Sequence, residues 1–538
     1  MARIAINQFD GVMPIVAPRL VPETAAQIAI NCNLERGRLE AIRDPKYVKA
    51  LDGISFFRWA RTDGVHLWIN WSVDAHAILH PSVSSRMCIA SSTFDYTRVT
   101  DQDIYPTYRR LGVPAPTKAP DVSSPEGFAS DTDEVARISA YIYTYVNVYG
   151  EEGPPSDPSI VHKVKSNATV VVTLHPPVAT TLTPLGSVKF RIYRVVVGTN
   201  NADYQFLVET TDTLYNDTKQ DAELGETCPT VSYDPPPDGL DGLIGTSNGQ
   251  LIGFHDNEVC FSEPYIPYAW PIEYRIPVES QIIGLGYFGT TIVACTKTRP
   301  YIVTGYDPSA LAAAQVPFDQ PCLSKKSIVS TGTAVYYAGP DGLFMVDESY
   351  TGQIVTKALF TRDQWQALQP ETIMGVWHNE RYYAFFHGSN TGFIYDPSRS
   401  DIVMFDIGGQ PIIDILYSSS GDCIYLKTAT KVFAWGGADT WRSYRWRSRK
   451  FYFNHQRAMA VFRIDGDPPD DAMNLCFTLL VDDVPVVSKR VIQRSELGVP
   501  LRLPASAYGH TFEIELEGTT SVDEIRVASS VDEVADDE

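Results

Sequence analysis

The residues most able to do chemistry fall in three short stretches. In the first, His66, Asp74, His76 and His80 lie within HLWINWSVDAHAILH. On a strand, alternate side chains share a face, so His76 and His80 point the same way and could ligate one metal ion. The residues between them are apolar and bring no group to orient either ring, so the spacing reads as structural and no metal is expected. In the second, Glu513, Glu515 and Glu517 alternate along one strand, a pattern expected of a face turned to solvent. A glycosidase needs two carboxyls facing each other across a cleft, which a single strand face does not provide. In the third, Arg442, Arg445, Arg447, Arg449 and Lys450 alternate with Trp441, Tyr444 and Trp446. Rings interleaved with positive charge suit single-stranded nucleic acid. In a chain this acidic the same alternation would also aim arginines at carboxylates on neighbouring strands. The patch Arg442, Arg445, Arg447 and Lys450 is therefore read as a packing or subunit contact.

No P-loop, no HExxH helix and no sialidase-type S-x-D-x-G-x-x-W box occurs in the 538 residues. Neither catalytic residues nor cofactors are expected. The formal net charge of −21 argues against a protein that grips a phosphate backbone. It is compatible with a wall past which DNA slides. The eight cysteines form no close pair, which suggests free thiols in a reducing compartment. The N-terminus lacks the pattern of a signal peptide and no apolar run is long enough to span a membrane, so synthesis in the cytoplasm is expected. The sequons at Asn167 and Asn216 then carry little meaning.

The elements that must position these groups are mostly strands. From Gly239 to Gly437 the chain repeats a turn, an alternating apolar run, a polar turn and a second apolar run. The turn residues Gly249, Gly289, Gly332, Asn379 and Gly421 are separated by 40, 43, 47 and 42 residues. A repeat of this length, with four strands per unit, predicts β-propeller blades. Residues 54–95 carry the same pattern and could close the ring from the N-terminal side, where an open sheet edge would invite aggregation.

Helical periodicity is confined to Val21–Leu34 and Thr361–Gln369. Proline-rich segments, Tyr105–Pro120 and Pro235–Pro237, mark boundaries. Four regions follow. Residues 1–118 form an arm plus strands of the propeller. Residues 119–238 form an inserted domain, in which Tyr141, Tyr143, Tyr145, Asn147 and Tyr149 share a face and the strand-and-turn resembles a fibronectin type III sandwich. Residues 239–438 form the main blades. Residues 439–538 form a small β-sandwich with a solvated acidic tail from Asp532.

Phrases spread over most of the chain resemble structural proteins of tailed bacteriophages. They are Gly11–Leu20 with Ala26–Leu34 and Gly37–Arg43, Arg110–Pro116, Phe261–Pro271, Thr296–Gly305, Pro321–Ile328 and Tyr444–Phe451. Within them Ser262, Glu263, Pro264, Trp270, Arg445 and Trp446 stand at motif positions. The resemblance is to the tail nozzle or hub of short-tailed phages. It implies a ring, usually of six copies, below the head-to-tail adaptor or portal, with tail fibres or spikes as further candidate partners. Phage DNA would pass through its lumen without specific binding, and the protein would reside in the virion tail. The resemblance brings no catalytic residues. The alternative is a propeller that binds or acts on glycans.

Overall fold

The computed structural model describes residues 3–534 except 62, 130–135, 166–167, 179–184, 198–201, 247, 306–309 and 469–472. The chain is mainly β. Each of the five regularly spaced turns joins the first and second strands of a separate antiparallel sheet, and two further sheets come from the N-terminal hairpins. In chain order, sheet I is Ser55–Ala60 and His66–Trp71. Sheet II is His76–Leu79, Arg86–Ala90, Arg98–Asp101 and Arg109–Arg110. Sheet III is Asp241–Gly245, Leu251–His255, Glu258–Phe261 and Arg275–Pro277. Sheet IV is Ile282–Phe288, Thr291–Thr296, Tyr301–Thr304 and Ala312–Gln315. Sheet V is Val329–Ser330, Ala334–Ala338, Leu343–Asp347 and Gly352–Ile354. Sheet VI begins Ile373–His378, Arg381–Phe386, Thr391–Asp396 and Asp401–Asp406. Sheet VII is Asp414–Ser418, Cys423–Lys427 and Lys431–Ala434, completed by Lys46–Ala50 from the arm.

The turn chemistry is what such hairpins require. Gly249, Gly289, Gly332 and Asn379 all adopt positive φ, which glycine and asparagine tolerate. In the fifth hairpin this role falls to Asp422 rather than Gly421. Distinct buried clusters join successive sheets. Trp59 and Ile69 of sheet I meet Met87 and Ile89 of sheet II. Cys88 and Val99 then meet Leu243 and Leu251, Ile252 and Phe261 meet Ile292 and Val303, and Val293 and Cys295 meet Val335 and Tyr337. Tyr336 and Met345 pack with Tyr382 and Phe393, and Phe385 and Phe405 with Ile424 and Leu426. Tyr425 and Val432 of sheet VII meet Phe56 of sheet I. Sheets IV and V approach so closely that a Cβ on Gly286 would lie 2.5 Å from the Val335 side chain, which is why no larger residue stands there.

Residues 119–238 contain further small sheets. One sheet pairs Asp121–Ser123, Val170–Thr173 and Leu214–Asp217; another pairs Tyr141–Val146, Lys189–Val197 and Ala202–Thr210. Tyr141, Tyr143 and Tyr145 fill the core with Val170, Val172 and Ile192. Arg194 and Asp217 are fully buried and pair at 2.6 Å, with the Tyr141 hydroxyl donating to the same carboxylate at 2.8 Å. The proline-rich segments are not free linkers. Leu111 and Val113 are buried, and Gly112, at positive φ, lies against Pro235 and Pro236, so the chain enters and leaves the insert at one place.

The N-terminal arm departs from expectation. Val21–Leu34 is not helical: Ala26–Ile30 and Cys32–Asn33 are strands. Ala26–Ile30 pairs antiparallel with Tyr444–Ser448 and touches Asp401–Asp406 in parallel at Ile30 and Met404. Tertiary pairing overrides a weak local helix preference, and Asn31 at positive φ would interrupt a helix in any case. Sheet VI thus runs through the arm into the C-terminal strands Tyr444–Ser448, Tyr508–Gly518, Leu475–Val481 and Val484–Val491. Arg3–Ile6 joins Ser521–Ala528, Val461–Asp467 and Leu501–Arg502 in the facing sheet. The boundaries at 118 and 438 therefore do not separate packing units, because one cluster spans Ile4, Phe9, Tyr382, Trp446 and Phe512. The C-terminal tail is docked through its first residues: Val534 is buried, and Glu533 accepts from the Ser529 hydroxyl and from the Ser529 and Ser530 amides. Residues 535–538 and Asn167 lie outside the described residues, while Asn216 stands within Leu214–Asp217. The helix at Arg362–Ala367 forms as predicted, capped by Thr361 and Gln364, which exchange hydrogen bonds.

Trp446 ties the arm to the C-terminal sheets: its ring is fully buried 4.9 Å from Phe9, edge to face, and its indole N–H donates to the Asp10 carbonyl at 3.2 Å. Trp446→Ala is expected to cost about 3–5 kcal/mol in denaturant unfolding. It should also speed cleavage within the first 25 or so residues in limited proteolysis relative to the wild-type chain.

Candidate functional site

The first strands of all seven sheets line one cavity of about 450 Å³. Phe56 and Phe57 come from sheet I, His76–Ile78 from sheet II, Gly242–Gly245 from sheet III, and Gly284 with Leu285 from sheet IV. Ser330, Val376 and Ile415 contribute from sheets V, VI and VII. Its charged groups enter just before or at the start of these strands. Lys325 and Lys326 lie on a short 3-10 turn ahead of sheet V. That turn is pinned by Ser324, whose hydroxyl donates to the Ile373 carbonyl at 2.7 Å, and by the Ser327 carbonyl, which accepts from the Tyr382 hydroxyl at 2.8 Å.

The two lysines bind three aspartates from three sheets. Lys325 Nζ lies 2.6 Å from Asp241 and 3.5 Å from Asp74. Lys326 Nζ lies 2.7 Å from Asp414 and 3.3 Å from Asp74. Asp241 and Asp414 are buried, whereas Asp74 opens to the cavity. Burial acts to raise the Asp74 carboxyl's pKa, but the two ammonium groups outweigh it and hold it below the ordinary value. For Asp414, burial prevails over the pull of Lys326 and the pKa rises. Lys326 is held above its ordinary value: burial works against its charge, and Asp414 and Asp74 more than compensate. The arrangement cross-links sheets II, III and VII through the turn before sheet V. It offers no unpaired nucleophile and holds three acids against two bases.

His76 also lines this cavity. It is accessible, yet protein encircles it, and burial with the nearby Lys325 lowers its pKa to about 4 despite Asp241 and Asp74. His80 is buried beyond the strand end, accepts from the Ser82 amide at 3.3 Å, and is also lowered to about 4 by burial and Arg86. His66 is exposed in sheet I. Asp74 and His76 line one cavity but His66 and His80 do not join them there, and no group of three potential ligands for a metal ion occurs among the described residues.

The acidic strand is a correction. Glu513 and Glu515 are only 4% and 5% exposed, because Tyr508–Gly518 is flanked on both sides by other strands. Their partners are the basic patch. Arg445 and Arg447 converge on Glu515 at 3.1 and 2.6 Å, Lys450 reaches Glu513 at 3.4 Å and also Asp483, and Arg442 pairs with Asp44 at 2.7 Å. Every member of the patch is thus engaged within its own chain. The motif residues near sheet III are structural too. Ser262 is buried and its hydroxyl accepts from the Leu251 amide at 2.9 Å, Glu263 donates its amide to the Ala269 carbonyl, and the Trp270 indole donates to the Pro267 carbonyl at 3.0 Å. Pro264 lies in the intervening turn.

Sequence reasoning missed the lysine–aspartate cluster, although Pro321–Ile328 contains both lysines. Two short glycine motifs are resolved by their context. Gly245–Gly249 has GxSxG spacing but joins two strands, with Ser247 outside the described residues, where a nucleophile elbow requires a strand-to-helix turn. Gly284–Gly289 has GxGxxG spacing, yet its first two glycines lie within an antiparallel strand rather than at a helix start.

No protein-family model matches the chain, and no curated protein matches it. Among solved structures, Sqt1 from Saccharomyces cerevisiae is 8% identical at a TM-score of 0.28, covering 73% of this chain and 99% of its own. Regucalcin from Agrobacterium tumefaciens str. C58, a calcium-binding protein, is 9% identical at a TM-score of 0.18, covering 37% of this chain and 91% of its own.

Two outcomes test the cluster. Lys326→Met leaves Asp414 buried without its partner and should destabilise the protein by about 3 kcal/mol, with Lys326→Met/Asp414→Leu recovering most of the loss in chemical unfolding. Because His76 titrates near 4 in the folded chain and near 6.5 unfolded, the unfolded state takes up protons first as pH falls. Stability should therefore decline from pH 6.5 towards pH 4, and His76→Gln should flatten part of that slope, read from unfolding midpoints across the pH series.

Proposed function

We propose that this chain is a structural component of a bacteriophage tail, of the nozzle or hub type. Its seven sheets are read as the blades of a β-propeller, with a fibronectin type III-like insert and a C-terminal sandwich into which the arm is woven. The observation that carries the reading is the position of the phage-like phrases. Gly11–Leu20 and Ala26–Leu34 lie where the arm meets sheet VI and the C-terminal strands, Tyr444–Phe451 contains the strand Tyr444–Ser448 that Ala26–Ile30 meets, and Pro321–Ile328 supplies the lysines that bridge Asp74, Asp241 and Asp414. These segments fall on junctions between the parts, while Phe261–Pro271 and Thr296–Gly305 fall within sheets III and IV.

Six copies would close into a ring through head-to-tail contacts and extend the DNA exit channel below the adaptor or portal. Exposed carboxylates on a chain of net charge −21 would repel the passing phosphate backbone rather than trap it. The insert would face outward, towards fibres, spikes or other tail parts. The eight cysteines are all free, which fits synthesis in the reducing cytoplasm of a host bacterium. The glycan-acting alternative has less to rest on, since the acids of the candidate site are each paired with lysine.

Native mass and negative-stain imaging of the purified protein, alone and with particles lacking it, test this reading. A closed ring in either condition, with about six copies, is the expected result. A monomer that never joins a particle would overturn it.

A further inference from the structure

The arm and sheets VI and VII enclose a second cavity, of about 370 Å³, for which the conduit reading has no use. Its aromatic lining is Tyr383, Trp435 and Trp441. Trp435 is half-buried and backed by Phe405 and Phe385, with ring centroids 4.9 and 5.4 Å away, so its orientation is fixed. Trp441 is also half-buried, with the Arg43 guanidinium 4.7 Å from its ring centroid. Neither indole N–H meets an acceptor among the described residues.

The charged lining decides the class of ligand. Arg43, Arg381 and Arg399 stand against Glu35, Asp396 and Asp401, so formal charge cancels. Arg381 bridges Glu35 at 2.7 Å and Asp396 at 3.0 Å, Arg399 donates to the Glu35 carbonyl at 3.2 Å, and Asp401 accepts from the Gly11 amide at 2.6 Å. A phosphate or a metal ion would find no excess of the opposite sign. What is left over is directional rather than ionic. The paired carboxylates retain lone pairs, the indoles retain their N–H groups, and both ring nitrogens of His378 are buried without a hydrogen bond, Nε2 lying 3.2 Å from Asp422. A pyranose answers both halves of this lining: its C–H faces pack on aromatic rings and its hydroxyls donate to and accept from charged groups already held rigid by one another. We propose that this cavity binds a neutral saccharide of one or two pyranose rings, a size set by its volume. Since residues 32–43 form one wall, the site is complete only when the arm is docked.

The test uses the full chain and saturation-transfer NMR with the methyl glycosides of glucose, galactose, mannose and N-acetylglucosamine, alongside glucuronic acid and sialic acid. Transfer to at least one neutral glycoside is expected, and Trp441→Ala should raise its Kd about tenfold. If Trp441→Ala lowers the melting temperature, Trp441→Phe and Arg43→Ala carry the comparison. Transfer to the charged sugars alone, transfer to none, or transfer unaffected by these substitutions would each overturn the proposal. None of these results bears on ring formation, so the conduit reading stands or falls separately.

Discussion

The fold depends on hydrogen bonding between the two ends of the chain. Lys46–Ala50 supplies the outer strand of sheet VII, Ala26–Ile30 joins sheet VI to Tyr444–Ser448, Glu40–Arg43 pairs with Trp441–Arg442, and Arg3–Ile6 pairs with Ser521–Ala528. These pairings cross more than 370 residues of sequence. Closing so long a loop costs only a few kcal/mol more than closing a short one, because the entropy grows with the logarithm of length. The cost is felt in rate: the hairpins of sheets III to VII can form locally, whereas the sheets that hold them in place wait for both termini. Docking the arm also covers strand edges that would otherwise template association between chains. Lys427 shows how tightly this junction is made, since its buried ammonium donates to the carbonyls of Leu51, Thr428 and Ala429 where the arm strand ends.

The second constraint is electrostatic and acts at the centre. Asp74 ahead of sheet II, Asp241 of sheet III and Asp414 of sheet VII converge on Lys325 and Lys326, without which those carboxylates would repel one another. Placing both lysines on a turn that is itself hydrogen-bonded to sheets V and VI makes the cluster a bracing point rather than a reactive one. With Asp74 and both lysines partly exposed, the cluster is expected to act more on the choice of one arrangement over others than on net stability. For a subunit proposed to bear load during genome passage, a single arrangement is the useful property.

The hairpins were legible because two independent signals coincide in them: a residue that accepts positive φ, as Gly249, Gly289, Gly332 and Asn379 do, and strict alternation on both sides. The helix at Arg362–Ala367 was legible from its periodicity, and its Thr361–Gln364 cap was not read from the sequence. Elsewhere a single signal misled. Ala26–Ile30 has helix-compatible composition, but its state is decided by strands some 400 residues away. Glu513 and Glu515 look solvent-facing because alternation of charged residues usually means exposure, and what buries them is an equally regular row of basic residues on the adjacent strand. The lysine–aspartate cluster was invisible for a related reason: Asp74, Asp241, Lys325, Lys326 and Asp414 are scattered over 340 residues of sequence, and only the packing of sheets brings them together.

The fate of the basic residues also bears on how this chain would meet nucleic acid. A stripe of arginines interleaved with aromatics can grip a strand only if the guanidinium groups remain available to phosphate. Here Arg442 is committed to Asp44, Arg445 and Arg447 to Glu515, and Lys450 to Glu513 and Asp483, while Tyr444 and Trp446 are buried rather than offered for stacking. To bind DNA this patch would first have to surrender internal ion pairs and expose two carboxylates to the same phosphates. The residues that in sequence most resemble a nucleic-acid site are thereby withdrawn from the surface's positive charge.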